Sequence, residues 1–362
     1  MFIVYALIQM LLFFVIIRLL DAYEREPLWM VALMGLWGGT FSIGLAIVGN
    51  EAIIGALPQD VSIVFGPAIA APFVEEIIKG LALLLAFFGS HWFFKKTGRL
   101  EFEGVTDGIV YGAAVGFGFA FTEDILYFFN FLSQADVKTG LDVFLLRVDF
   151  FGLGSFGHAI YTGTFGAGLG MGTWAATKRG QIGWPLAGLA AGMFMHFLHN
   201  GTQSIMMVRE FGLEATAAAY SGGLLPVEVI ERMNATVASA ESMTNLLDTS
   251  FVIAFFTAIF LWVRHQKKVI AFELAEEVNN GTITKEEWAI VPNFLDRTKW
   301  YWQLVRQAQF ETLKLVSEAH REMADLAFAK WRVRRRGADQ TVVDVHRDRI
   351  RKIRARQAIH AS

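Results

Sequence analysis

Seven stretches of this chain, near residues 2–20, 28–56, 63–90, 107–133, 150–176, 183–207 and 248–264, are long and apolar enough to cross a bilayer as helices. A bilayer core takes about 20 mostly apolar residues per helix and offers no water to satisfy backbone N–H and C=O groups. An all-α, polytopic transmembrane bundle of about seven spans follows. Charge supports the same conclusion. Only 18% of the residues are Asp, Glu, Lys or Arg, against about 25% in a soluble domain. Most of the Lys and Arg lie beyond Arg264, so the net charge of −2 averages an apolar region, 1–264, and a basic one, 265–362. The first stretch has no basic start and no small-residue cleavage site, so it is expected to be a retained span rather than a signal peptide.

The basic residues also orient the bundle. With the segment 21–27 in the cytoplasm, the inner side collects Arg18, Arg25, Lys95, Lys96, Arg99, Lys178, Arg179, Arg264, Lys267, Lys268 and the whole basic tail. The outer side keeps Lys138, Arg147, Arg209 and Arg232. Lys and Arg favour the cytoplasmic side, so the N-terminus is expected outside and the C-terminus in the cytoplasm, with the bundle in the cytoplasmic membrane. Glycines at four-residue spacing, Gly108-Gly112-Gly116, Gly166-Gly170 and Gly188-Gly192, are the small residues that let helices approach in lipid. The chain has no cysteine, which excludes disulfides, thiolate metal sites and a cysteine nucleophile.

Ionisable residues within apolar spans are costly, about 2.5–3.5 kcal/mol each on the lenient insertion scale, and they mark function. Four clusters stand out. The third span carries Glu75, Glu76 and Lys79. Glu75 and Lys79 are four apart and expected to pair, leaving Glu76, turned about 100° away, for proton chemistry. The fourth span carries Glu123 and Asp124, and the fifth His158 with Thr162 one turn on, placed to hydrogen-bond the imidazole or a substrate. The sixth carries His196, His199 and Asn200, where an imidazole and an amide share a face. Such a set suits metal-assisted hydrolysis, direct activation of water by a glutamate, or a proton relay in a transporter.

The order of these motifs resembles the PrsW family of intramembrane proteases, related in motif logic to the CAAX prenyl protease and Abi membrane proteins. The likeness runs from the acidic segment 21–27, ending Glu26-Pro27, through Glu75-Glu76-x-x-Lys79, Asp107-Gly108, Glu123 and Gly157-His158 to His196–Asn200. It implies an intramembrane endopeptidase in which Glu75 or Glu76 activates water. Glu123, His158 and His196 would hold a divalent metal, zinc by kinship, or shuttle protons. Asn200 would stabilise the oxyanion, Lys79 would set the charge state of Glu75, and Asp124, Thr162 and His199 would support. The implied partner is a membrane protein or peptide, such as a single-span protein. Asp124 stands where Asn is expected in many relatives, which puts a second acid beside the site. The basic tail lies outside the resemblance.

Two rival functions predict different losses. A proton- or cation-coupled transporter using the same residues would lose flux on Glu→Gln substitution, and an inactive scaffold would act through its tail. Within that tail, Asn280-Gly281 marks a turn, Thr284 with Glu287 fits a capping box, and 294–336 has helical periodicity. Arg332, Arg334–Arg336 and the basic run 347–356 suit anionic headgroups, an acidic partner or plain solvent exposure. Nothing in the chain recommends nucleic acid as a partner.

Overall fold

Helices in lipid pack through close backbone contact rather than hydrophobic exclusion, and this chain supplies the glycines for it. The computed structural model describes residues 26–93, 102, 104–132, 156–337 and 339–361, together with Val4, Ile8, Leu12, Val15, Ile16, Leu19 and Tyr23. Among the described residues every regular element is a helix. The chain divides into two units, one of residues 1–17, 27–93 and 101–257, the other of 18–26, 94–100 and 258–362.

In the first unit, α1 (Leu28–Gly55) is interrupted by a π-helical turn at Gly38–Ser42. The short α2 (Gln59–Phe65) runs through a second π segment, Gly66–Ala70, into α3 (Ala71–Phe93). Then follow α4 (Val105–Leu132), α5 (Phe156–Trp174), α6 (Lys178–Phe211) and the short α7 (Leu213–Tyr220). A long helix, α8 (Val227–Asn279), begins in the first unit and ends in the second.

Among the described residues, four helical runs are long and apolar enough to cross a membrane: Leu28–Gly55, Gln59–Ser90, Val105–Tyr127 and Val227–Asn279. The expected fifth and sixth spans are helical, on α5 and α6, but their Gly, Thr and His content keeps them out of that group. The first stretch, 2–20, and the connection 133–155 lie largely or wholly outside the described residues, as do Lys95, Lys96, Arg99, Lys138 and Arg147.

The core is a seam between α4 and α5. A Cβ on Gly108 would stand 1.9 Å from the Gly166 carbonyl oxygen, and one on Gly116 would stand 2.1 Å from that of His158. No side chain fits there, so the two backbones touch. On the other side of α5, a Cβ on Gly192 of α6 would meet the Tyr161 carbonyl oxygen at 2.6 Å. In α3 polarity is inverted relative to a soluble helix: Glu75, Glu76 and Lys79 are buried, while Phe73, Ile77, Leu81 and Leu85 are exposed. That is the pattern of a helix with lipid outside and a polar site inside.

The second unit includes the end of α8 and four further helices: α9 (Lys285–Ile290), α10 (Phe294–Arg306), α11 (Phe310–Arg336) and α12 (Thr341–Ala361). Thr284 and Glu287 form the expected capping box, and Gly281 adopts positive φ at the turn. The helical run expected over 294–336 is broken at Ala308, which has a φ of 55°. Several of the unit's Arg residues are paired with its own acids: Arg334 with Glu273, Arg347 with Glu277, Arg354 with Glu287 and Arg356 with Glu318.

Candidate active site

Four helices of the first unit bring the site together. Glu75, Glu76 and Lys79 come from α3, Glu123 from α4, His158 and Thr162 from α5, and His196 from α6. All but Glu123 are buried, and Lys79 is wholly so. Because α5 is pressed backbone to backbone against α4, and α6 against α5, the histidines are held where short side chains can meet.

The pairing within α3 differs from the expected one. Lys79 Nζ is 2.5 Å from Glu76 Oε1 but 3.7 Å from Glu75 Oε2. Glu76 also accepts from the Thr162 hydroxyl at 2.9 Å and lies 3.1 Å from His196 Nδ1. Glu76 is therefore the saturated carboxylate and Glu75 the open one. Thr162 serves Glu76, not an imidazole. Spacings of three and four both reach Lys79, and the acceptors and donors of α5 and α6 decide between them.

Beyond the 3.7 Å approach of Lys79, Glu75 has one long hydrogen bond, 3.5 Å from the Asn50 amide to Oε1. Its Oε2 is buried with no hydrogen-bond partner among the described residues. That oxygen is 4.0 Å from both His158 Nδ1 and His196 Nε2. Each imidazole is backed by a carboxylate at its other nitrogen: His196 Nδ1 by Glu76, and His158 Nε2 by Glu123 Oε2 at 3.1 Å. A carboxylate behind a histidine fixes its orientation and raises its basicity toward whatever faces the other nitrogen.

Glu75, His158 and His196 each offer one donor atom, and these three atoms lie within 4.8 Å of one another. This group has Glu75 where the sequence suggested Glu123, whose carboxylate instead lies behind His158. One carboxylate and two imidazoles are a donor set that zinc accepts, and the unpartnered Glu75 oxygen gives the set an open charge. The residues fit such an ion. Lys79 Nζ is 2.8 Å from His158 Nδ1, so an ion taking that nitrogen displaces the ammonium from it.

Three expected residues are placed differently from this group. Asn200 donates from Nδ2 to the Pro67 carbonyl in the π segment at 3.1 Å. His199 Nδ1 lies 2.8 Å from Asp248 Oδ2. Asp124 is buried on α4. Asn50, Tyr161 and Asp248 were not singled out from sequence. Asn50 and Asp248 had a signal, an amide and a carboxylate bordering apolar runs. Tyr161, which stacks on His196 with ring centroids 4.9 Å apart, had none beyond its place beside His158.

Residues 26–227, more than half of the chain, match the PrsW family of intramembrane metalloproteases. The chain belongs to that family. Over 194 residues it is 29% identical to Protease PrsW of Geobacillus kaustophilus (strain HTA426), an alignment covering 52% of this chain and 72% of the relative. No solved structure matches. Membership in the PrsW family makes the chain a membrane-embedded peptidase. Every residue of the converging group lies inside the matched segment, while most of α8 and helices α9–α12 of the second unit lie outside it.

Proposed function

We propose that the protein is an intramembrane endopeptidase that hydrolyses peptide bonds of membrane proteins, single-span proteins among them, with Glu75 as the residue that acts on water. One observation carries this: the buried, unpartnered Oε2 of Glu75 faces two imidazole nitrogens inside the bundle.

Lys79, Thr162 and His196 occupy Glu76, which keeps it ionised and out of proton transfer. Glu76 and Glu123 each hold one imidazole so that its other nitrogen turns toward Glu75. Glu75, His158 and His196 are the residues that would hold a divalent metal, zinc by donor type. When bound, such an ion supplies a water of lowered pKa and polarises the scissile carbonyl. Without an ion, Glu75 Oε2 would itself take a proton from the attacking water, and the imidazoles would pass a proton to the leaving amine as the C–N bond breaks.

The distribution of Lys and Arg supports seven spans with the N-terminus outside and the C-terminus in the cytoplasm. For the arginines paired within their own unit, Arg334, Arg347, Arg354 and Arg356, an acidic partner or anionic lipid would have to compete with those acids.

The test is cleavage of a panel of fluorogenic single-span peptides by purified protein in detergent. Glu75→Gln is expected to lower kcat/KM by about 100-fold to 10,000-fold, the range for loss of a positioned base. Full activity in that variant would overturn the assignment. Cleavage that a chelator stops and zinc restores gives Glu75 a ligand's role. Cleavage that persists under chelation makes it a direct base.

A further inference from the structure

Asp248 sits on α8, beyond the family-matched segment, yet its side chain is only 1% exposed. Oδ2 faces His199 Nδ1, and the next residues along the same helix face, Phe251, Val252 and Phe255, pack against Ile160 and Tyr161. Tyr161 stands between two histidines: it stacks on His196, and its ring is 6.5 Å from that of His199.

Two polar atoms are left over in this corner. The Tyr161 hydroxyl and Asp248 Oδ1 are both buried with no hydrogen-bond partner among the described residues. Buried polar groups are nearly always satisfied. An orphaned hydroxyl on the ring stacked against His196, and an orphaned acceptor on the carboxylate that faces His199, need an outside partner.

A peptide segment unwound for cleavage inside a bilayer has the complementary need, since its backbone N–H and C=O groups find no water there. We propose that Asp248, held by His199, and Tyr161 form a backbone-binding subsite at the His196 edge of the active site. Asp248 Oδ1 accepts a substrate N–H, and the Tyr161 hydroxyl donates to a substrate carbonyl. The subsite rests on the proteolytic function proposed above, and α8 becomes part of the machinery rather than a flanking span.

The experiment measures binding of a fluorescein-labelled single-span peptide, one that the wild-type protein cleaves, to full-length Glu75→Gln protein in detergent. Asp248→Asn keeps the size and can still accept from His199, but it puts N–H where an acceptor is needed. Peptide affinity is expected to fall about tenfold or more. Tyr161→Phe keeps the ring stacked on His196 and is expected to cost about fivefold. In the protein that keeps Glu75, kcat/KM falls by the same factors while the melting temperature holds in Asp248→Asn and holds or rises in Tyr161→Phe, where an unsatisfied buried hydroxyl has been removed. A purely structural role would instead lower melting temperature and affinity together, and that result overturns the subsite. Unchanged affinity in both variants overturns it too while leaving proteolysis standing. A wild-type protein that cleaves no peptide of the panel overturns both.

Discussion

Two buried glutamates, one in each unit, meet cations and end in opposite conditions. Glu277 in the second unit is saturated: Oε1 accepts from Lys330 and Arg347, each at 2.7 Å, and Oε2 from Arg347 Nε at 3.1 Å. Glu75 in the first unit has a lysine 3.7 Å away and an oxygen with no hydrogen bond. The nearest cation is bound instead to its sequence neighbour, Glu76. Burial of a carboxylate does not separate structure from chemistry, then; the number of lone pairs left open does. A satisfied buried ion pair holds helices in register, whereas an open one stores reactivity at a cost in stability.

The largest effect should come from removing the cation of the first unit. Lys79→Met leaves Glu76 charged, buried and short of its closest partner, and a pair broken in this way costs about 3–5 kcal/mol. Thermal unfolding in detergent measures it. A melting temperature equal to wild type would mean that Glu76 is neutral, and the contrast between the two carboxylates would fail.

Acid should act on the second unit next. His320 has its pKa pushed down to about 4, chiefly by burial and then by the charge of Arg297. It donates or accepts at Tyr301 through Nδ1, at 2.9 Å. Its ordinary value is 6.5, so the unfolded chain takes up the proton first as pH falls. The stabilisation, on the order of 3 kcal/mol, is complete above pH 6.5 and is lost between about 6.5 and 4. His320→Phe should flatten stability across that window. An undiminished acid sensitivity in that variant would place its source elsewhere.

Glutamine substitution gives the smallest shifts and the sharpest contrast. Glu277→Gln strips charge from acceptors that Lys330 and Arg347 use and should destabilise by about 1–3 kcal/mol. Glu75→Gln removes an unsatisfied buried charge and should change stability by less than about 1 kcal/mol, in the stabilising direction, while abolishing cleavage. Equal destabilisation by the two would erase the distinction.

How much of this was readable in the chain depends on the range of the interaction. Apolar runs and glycine spacing are local, and they announced the bundle and the α4–α5 seam. The rarity of Glu and His in such runs announced which residues would meet. What spacing could not encode was the choice between Glu75 and Glu76 as the partner of Lys79, because Thr162 and His196, 86 and 120 residues away, decide it. Nor does spacing tell which carboxylate backs His158; the contact of Glu123 Oε2 with His158 Nε2 spans 35 residues. The paired arginines of the second unit were equally hidden, since a basic run looks the same whether its acids are near or absent.

Gly116 has one more consequence. The carbonyl of His158 is seated on a position where even a methyl group would collide, so the imidazole's reach is fixed by the absence of a neighbour's side chain. A swap of one apolar side chain for another on the exposed face of α3 leaves this contact alone, but Gly116→Ala would push the His158 ring off its mark without changing a single polar side chain.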